Sequence, residues 1–238
     1  MGKRGPKPTG KVKIEWSAKF AYAIGLIVSD GSLSINGRHI IFTSKDQEMA
    51  ELFLYGLNIK VPFTKKSRSG GEDKKYFVVQ FSDVLFYSFL ESIGLTSNKS
   101  KTISKIDIPS KYFIHFVRGV FDGDGSTYTY FDKRWASSYM CYCIFTSASQ
   151  AFVDWLQQEL QNHLGISGHI TKGKKSGVFQ LRYAKQESLV LFEAMYEDSE
   201  NVRLMRKYLK IKEILHIIAQ LQTKQRNAQV GKLVDPLP

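Results

Sequence analysis

Two short segments of this chain carry residues that could do chemistry together. Ala23 to Ser32 reads Ala-Ile-Gly-Leu-Ile-Val-Ser-Asp-Gly-Ser, and Val117 to Ser126 reads Val-Arg-Gly-Val-Phe-Asp-Gly-Asp-Gly-Ser. In each, an apolar stretch containing a glycine ends on an acid followed by Gly-Ser. The acids are Asp30 and Asp124. A single Asp-Gly is an ordinary turn signal, but two that close the same apolar pattern define a repeat. Carboxylates held side by side repel and push each other's pKa up, and the negative ends of helices add to the conflict. A divalent cation removes it. All-oxygen ligands of this kind suit Mg²⁺, which keeps water and takes phosphate oxygens as further ligands. A metal so placed can activate water against a phosphodiester.

The elements that must position these acids repeat with them. Each apolar stretch reads as a buried helix, starting near Ser17 and near Ser110, where a hydroxyl can cap free N–H groups, and ending at Gly31 and Gly125. Ala21, Gly25 and Ser29 stand four apart and form one narrow stripe; His115, Gly119 and Gly123 form the matching one. Helices packed along these stripes would bring Asp30 and Asp124 together. Downstream, Ile41-Phe42-Thr43-Ser44 recurs as Ile144-Phe145-Thr146-Ser147. The offset grows from 94 (124 minus 30) to 103 (144 minus 41), so the second copy holds nine extra residues near Asp132, Lys133 and Arg134, at a hairpin tip where insertion is easily accommodated.

Each copy then reads as strands 32–36 and 39–43, a helix opened by a capping box at Ser44 or Ser147, a second strand pair (60–68 with 75–81; 168–173 with 177–183) and a closing helix (83–93; 186–197). A last helix spans 201–221. The expected class is α+β, with two αββαββα repeats whose antiparallel sheets carry helices on one face and leave the other free. The expected division is a basic N-terminal arm over 1–16, repeats over 17–96 and 111–221, a linker over 97–110 and a tail over 222–238.

Composition narrows the partners. Lys plus Arg total 34 against 22 Asp plus Glu, a formal charge of +12, which suits a polyanion because each basic group on a phosphate releases a counterion. No apolar run is long enough to span a bilayer, no secretory signal is present, and the expectation is a soluble intracellular protein without membrane partners. Cys141 and Cys143 read as buried thiols on one strand face rather than half of a zinc site. The five histidines form no ligand box.

Both acid-ending segments resemble the LAGLIDADG motif of homing endonucleases, with Gly25 and Gly119 at its first glycine and Asp30 and Asp124 at its last acid. The resemblance covers roughly 17–221, and two motifs in one chain are similar to the monomeric form. It implies a saddle of two sheets on duplex DNA. It also implies two or three Mg²⁺ ions at the domain interface, with Mn²⁺ or Ca²⁺ able to substitute in binding. The backbone carbonyls of Ser29 and Gly123 would join the metal ligands, and a double-strand break with 3′ overhangs would serve intron or intein mobility. It further implies a lysine in each half, which points to Lys99 and Lys207 as catalytic helpers. At the motif's other acidic position the second copy has Asp122 and the first has Val28. The same scaffold also suits an RNA-splicing maturase on intron RNA or a non-cleaving DNA-binding protein.

A two-stranded ribbon fits the major groove, so the free strand faces supply the candidate DNA contacts. In the first half, period-two alternation turns Phe77, Val79, Phe81, Leu33 and Ile35 inward. It leaves Tyr76, Val78, Gln80, Ser32, Ser34 and Asn36 outward, with Arg38 at the turn and Lys65, Lys66 and Arg68 for phosphates. In the second half the choices are Ser126, Tyr128, Tyr130, Lys133, Arg134, Lys172, Gln180 and Arg182. Lys3, Arg4, Lys7, Lys11 and Lys13 make the N-terminal stretch a flexible basic arm.

Overall fold

A computed structural model describes residues 10–67, 75–134, 138–173, 177–197, 199 and 202–234, with side chains through 224. The chain-order pattern is α-β-β-α-β-β-α, twice, followed by one long helix. In the first repeat, α1 (Ala18–Asp30) leads to β1 (Gly31–Leu33), β2 (His39–Ser44) and α2 (Gln47–Leu57). The repeat continues with β3 (Phe63–Lys66), β4 (Tyr76–Ser82) and α3 (Val84–Ser92). In the second, α4 (Phe113–Asp124), β5 (Ser126–Phe131), β6 (Tyr139–Ser147), α5 (Gln150–Leu164), β7 (His169–Lys172), β8 (Phe179–Tyr183) and α6 (Lys185–Tyr196) follow in the same order, and α7 (Met205–Val234) ends the fold.

Each repeat builds one four-stranded antiparallel sheet, ordered β1-β2-β4-β3 and β5-β6-β8-β7. The period-two alternation that marks these strands is visible in their burial. Ile40, Phe42, Val79 and Phe81 lie buried on the helix side, while Ser32 and Gln80 on the other face are exposed. The α+β class and the duplicated unit expected from the sequence are the observed fold.

The centre of the molecule is the contact between α1 and α4, which run side by side in the same direction. A Cβ on Gly25 would stand 2.8 Å from the Val120 nitrogen and 2.9 Å from Gly119 Cα, and one on Gly119 would collide with the Tyr22 carbonyl. Only glycine allows backbones this near. Hydrophobic side chains flank the seam without a break: Tyr22, Ile24, Leu26, Phe116, Val117 and Phe121 are essentially fully buried.

Several local expectations shift. Ser17 caps α1 through Phe20 N–H at 3.2 Å, as expected, but Ser110 opens only a 3-10 turn (Ser110–Tyr112) with no side-chain cap. The caps of α2 and α5 are Asp46 and Ser149, two residues past the expected Ser44 and Ser147. Ser44 and Ser147 still shape the entry, accepting from Asp46 N–H at 3.0 Å and Ser149 N–H at 3.1 Å. Gly31 and Gly125 end their helices in extended rather than left-handed backbone. Glycine is needed there because a Cβ would press on Ile27 or Phe121 of the preceding turn. Ile35 does not point inward: β1 stops at Leu33, and Ile35 sits in the turn with 83% of its surface exposed. The basic arm is anchored from Lys11 onward, because the buried Asp83 carboxylate accepts from Lys11 N–H and Val12 N–H at 2.6 and 2.9 Å. Lys3, Arg4, Lys7 and Arg68 lie outside the described residues. The C-terminal stretch from 222, read as a tail, continues α7 to Val234.

Candidate functional site

Because α1 and α4 run in register, their last residues meet. A Cβ on Gly123 would lie 3.0 Å from Asp30 Oδ2 and inside the space of the Ser29 side chain. Asp30 is half-buried and Asp124 is open to solvent. Partial burial raises the pKa of Asp30 to about 6, with the Asp124 carboxylate adding to the rise and the Lys207 and Lys99 ammonium groups opposing it. Asp124 is pushed up by burial and held down by Lys99 and Lys207. The acid pair is thus brought together, as its spacing predicted, with two lysines partly offsetting its negative charge.

Both sequence-chosen lysines arrive at this pair by unrelated routes. Lys99, in a 3-10 turn (Lys99–Lys101) within the expected linker, is 6% exposed and donates to the Val28 carbonyl at 2.7 Å. Lys207, in the first turn of α7, donates to the carbonyls of Phe121, Gly123 (3.1 Å) and Gly125 (2.6 Å). Lys99 at the Val28 carbonyl and Lys207 at the Gly123 carbonyl satisfy last-turn acceptors of the kind a helix end leaves unpaired, and each brings positive charge to a negative helix terminus. Burial lowers both ammonium pKa values to about 8, against the pull of Asp30 and Asp124.

The donor set fits a hard divalent cation. Among the described residues no three His, Cys, Asp or Glu side chains gather into a metal-holding group, so Asp30 and Asp124 are the side-chain ligands this helix end offers. The remaining ligands would be backbone oxygens, water and a phosphodiester, an all-oxygen set that suits Mg²⁺. The Gly123 carbonyl already accepts from Lys207 and retains a second lone pair.

Asp122, one residue before Gly123, does different work. It is fully buried and accepts from Tyr22 Oη (2.8 Å), Tyr196 Oη (2.5 Å) and Leu204 N–H (2.8 Å). Beside it Arg118 lies over the Tyr22 ring and donates to the carbonyls of Val202 and Met195 at 2.8 and 2.9 Å. These bonds tie α1, α4 and α6 to the start of α7, three residues before Lys207.

An open groove of about 650 Å³ leads from Asp30 and Gly123 across the outer face of the first sheet. Its walls include Tyr76, Val78, Gln80 and Lys66 from the expected set. Ile41, Thr43, Lys45 and Arg206 also line it and were not expected. Ile41 and Thr43 pair directly with Gln80 and Val78 and so share their face; alternation from Phe42 could have found them. Arg206 had no sequence signal, because it reaches the groove only through long-range docking: it pairs with Asp46 at 2.9 Å, while Met205 N–H donates to Glu48 at 3.0 Å. Ser32 and Arg38 are exposed as expected. Ser34 and Asn36 sit in the β1–β2 turn, where Asn36 Oδ1 accepts from Arg38 and His39 N–H groups, each at 3.3 Å.

On the second sheet, Ser126, Tyr128, Tyr130, Gln180 and Arg182 share the outer face, with Lys133 and Arg134 at the hairpin tip. Two lysines stand elsewhere. Lys65 pairs with Phe77 and Lys172 with Phe179, on the helix side of each sheet, with each ammonium over its partner ring at 4.9 and 5.1 Å.

With this geometry in place, comparison with known proteins is decisive on the fold. Residues 113–196 match the model of the LAGLIDADG-like domain. That stretch of the second half is therefore similar to a LAGLIDADG-like domain. The whole fold is similar to the homing endonuclease I-DmoI, at TM-score 0.53 and 18% identity over 82% of this chain and 97% of that one. A further structure of I-DmoI is in complex with DNA and Ca, at TM-score 0.52. The LAGLIDADG homing endonuclease I-LtrWI, bound to target DNA, aligns at TM-score 0.59 and 11% identity over 87% of this chain and 91% of that one. Full-length DUF199/WhiA from Thermatoga maritima aligns at TM-score 0.54 and 16% identity over 92% of this chain and 70% of that one. No curated protein matches in sequence. At these identities the likeness establishes the LAGLIDADG fold in both halves. No described helix is long and apolar enough to cross a membrane.

Proposed function

We propose that this protein is a monomeric, site-specific endonuclease that uses Mg²⁺ to cut both strands of duplex DNA, leaving 3′ overhangs, in the service of intron or intein mobility. The observation that carries the reading is the meeting of Asp30 and Asp124 at the α1–α4 seam, each with a buried lysine, at the end of an open groove. A purely DNA-binding surface gains nothing from two adjacent acids beside phosphates.

In this reading Asp30 and Asp124, with the Gly123 and Ser29 carbonyls, hold divalent cations. Bound there, the cations supply a Lewis acid for the phosphodiester and lower the pKa of attacking water. Lys99 and Lys207 fix the two helix ends in register. Both also lend positive charge beside the acid pair. The outer sheet faces hold the duplex, through Tyr76, Val78, Gln80, Ser32 and Lys66 on one side and Ser126, Gln180 and Arg182 on the other.

The likeness to DUF199/WhiA, whose name describes no endonuclease, supports a second reading in which the protein binds DNA without cutting. A maturase acting on intron RNA remains the third. A pool of plasmids with randomised inserts, incubated with protein and Mg²⁺, separates them. The endonuclease reading expects linearised plasmids sharing one target. Asp30→Asn and Asp124→Asn should each lower cutting more than about a hundredfold while leaving binding intact. Binding without any cutting would favour the second reading, and binding to intron RNA alone the third.

A further inference from the structure

Most of the nine extra residues of the second repeat extend its first two strands. β1 and β2 span three and six residues, whereas β5 and β6 span six and nine. Where the first half already turns, at Ser34 and Asn36, the second half continues as strand through Tyr128 and Tyr130. Register places Tyr128 opposite Tyr142 and Tyr130 opposite Met140. All four face away from the helices, since the alternate residues Cys141 and Cys143 are fully buried beneath them.

The three tyrosines form a ladder. Ring centroids are 5.6 Å apart for Tyr128 and Tyr130, and 6.4 Å for Tyr142 to either, with Tyr130 and Tyr142 nearly parallel. The Arg182 guanidinium lies 5.3 Å over the Tyr142 ring and joins the ladder to the neighbouring strand. Tyr128 is 53% and Tyr130 37% exposed. The ring contacts support the strand extension itself, but so much aromatic surface left open to water on it also marks a contact surface.

Resting on the DNA-binding part of the reading above, we infer that the extended β5–β6 hairpin reads the outer end of one target half through the methyl groups of thymine. The face is continuous with Ser126, which directly follows the acid-bearing helix end, and basic residues border it: Arg182 at its base and the exposed Lys133 at its tip. Apolar ring surface in the major groove distinguishes bases by the C5 methyl that only thymine carries there. Three further residues per strand add about 10 Å of reach, or about three base pairs. The target is therefore longer on the second half's side than on the first's.

The test uses the full chain. Duplexes that bind are selected from a random pool in Ca²⁺, and each outer thymine is then replaced by deoxyuridine on one side or the other. The expected result is a loss of about fourfold in affinity per methyl removed, on one side only. On that side, stepwise trimming weakens binding about three base pairs farther from the centre. Tyr128→Ser and Tyr142→Ser should abolish the deoxyuridine effect there while far-UV circular dichroism stays unchanged. Equal sensitivity on both sides, no sensitivity, or a deoxyuridine effect that survives in the tyrosine variants would overturn the inference while leaving DNA binding intact. So would a ladder whose loss only dissolves a dimer. Failure to enrich any duplex would remove the DNA reading itself, and the inference with it.

Discussion

At the end of α1, Lys99 reaches one carbonyl, that of Val28, from a 3-10 turn; at the end of α4, Lys207 reaches three, from the first turn of a 30-residue helix. Beside them the first half has Val28, mostly buried in an apolar setting, where the second has Asp122 with its two tyrosines and a backbone N–H. Common to both halves are a glycine at the seam, an acid at the helix end and an ammonium group at the last-turn carbonyls. Those shared features are what a two-sided cation site needs. The rest differs: one half secures its lysine by packing, the other by a buried polar network, and the second half has the longer strands in its first hairpin.

The comparison can be broken in order of expected effect. The seam glycines should be equivalent: Gly25→Ala and Gly119→Ala each force a methyl against the opposite helix backbone and should cost about 3 kcal/mol in urea unfolding. Gly123→Ala should cost a similar amount, because Ser29 Cβ, 2.4 Å from the added methyl, cannot rotate away. Unequal losses at Gly25 and Gly119 would mean that the two helices do not share the seam evenly.

The divergent pair should differ. Asp122→Ala leaves two tyrosine hydroxyls and the Leu204 N–H without a partner in the interior and should cost roughly 3 kcal/mol. Val28→Ala removes only apolar contacts and should cost about 1 to 2 kcal/mol. Denaturant midpoints with unchanged slopes check both. If Asp122→Ala were as mild as Val28→Ala, the buried network would not be what holds α7. The smallest effect belongs to Arg206→Ala, whose partly exposed pair with Asp46 should contribute less than about 1 kcal/mol; a larger loss would show that the α7 start depends on this contact with the first half.

Much of this was legible before any coordinates. Two Asp-Gly pairs closing Gly-containing apolar runs gave the seam, and period-two alternation gave the faces of Tyr76, Val78, Gln80 and Tyr128. Several of the positions that differ were decided by tertiary partners. Asp83 reaches back to pin Lys11 and Val12, a bond between residues more than 70 apart that no local pattern signals. Lys65 and Lys172 are basic like Lys66, but strand pairing sets them opposite Phe77 and Phe179 on the helix side. Ile35 looked like a core residue because its alternation was counted beyond the point where β1 ends. Tyr142 was legible and overlooked: if Cys141 and Cys143 point inward, the residue between them must point out.

The account stands on one shared cation site between Asp30 and Asp124. Mn²⁺ binding to the protein with its selected duplex, followed by electron paramagnetic resonance, tests it most directly. The prediction is tight binding in the native chain and a comparable loss in Asp30→Asn and in Asp124→Asn, since each variant removes half of the same site. Full Mn²⁺ binding in either variant, or none in the native complex, would contradict it.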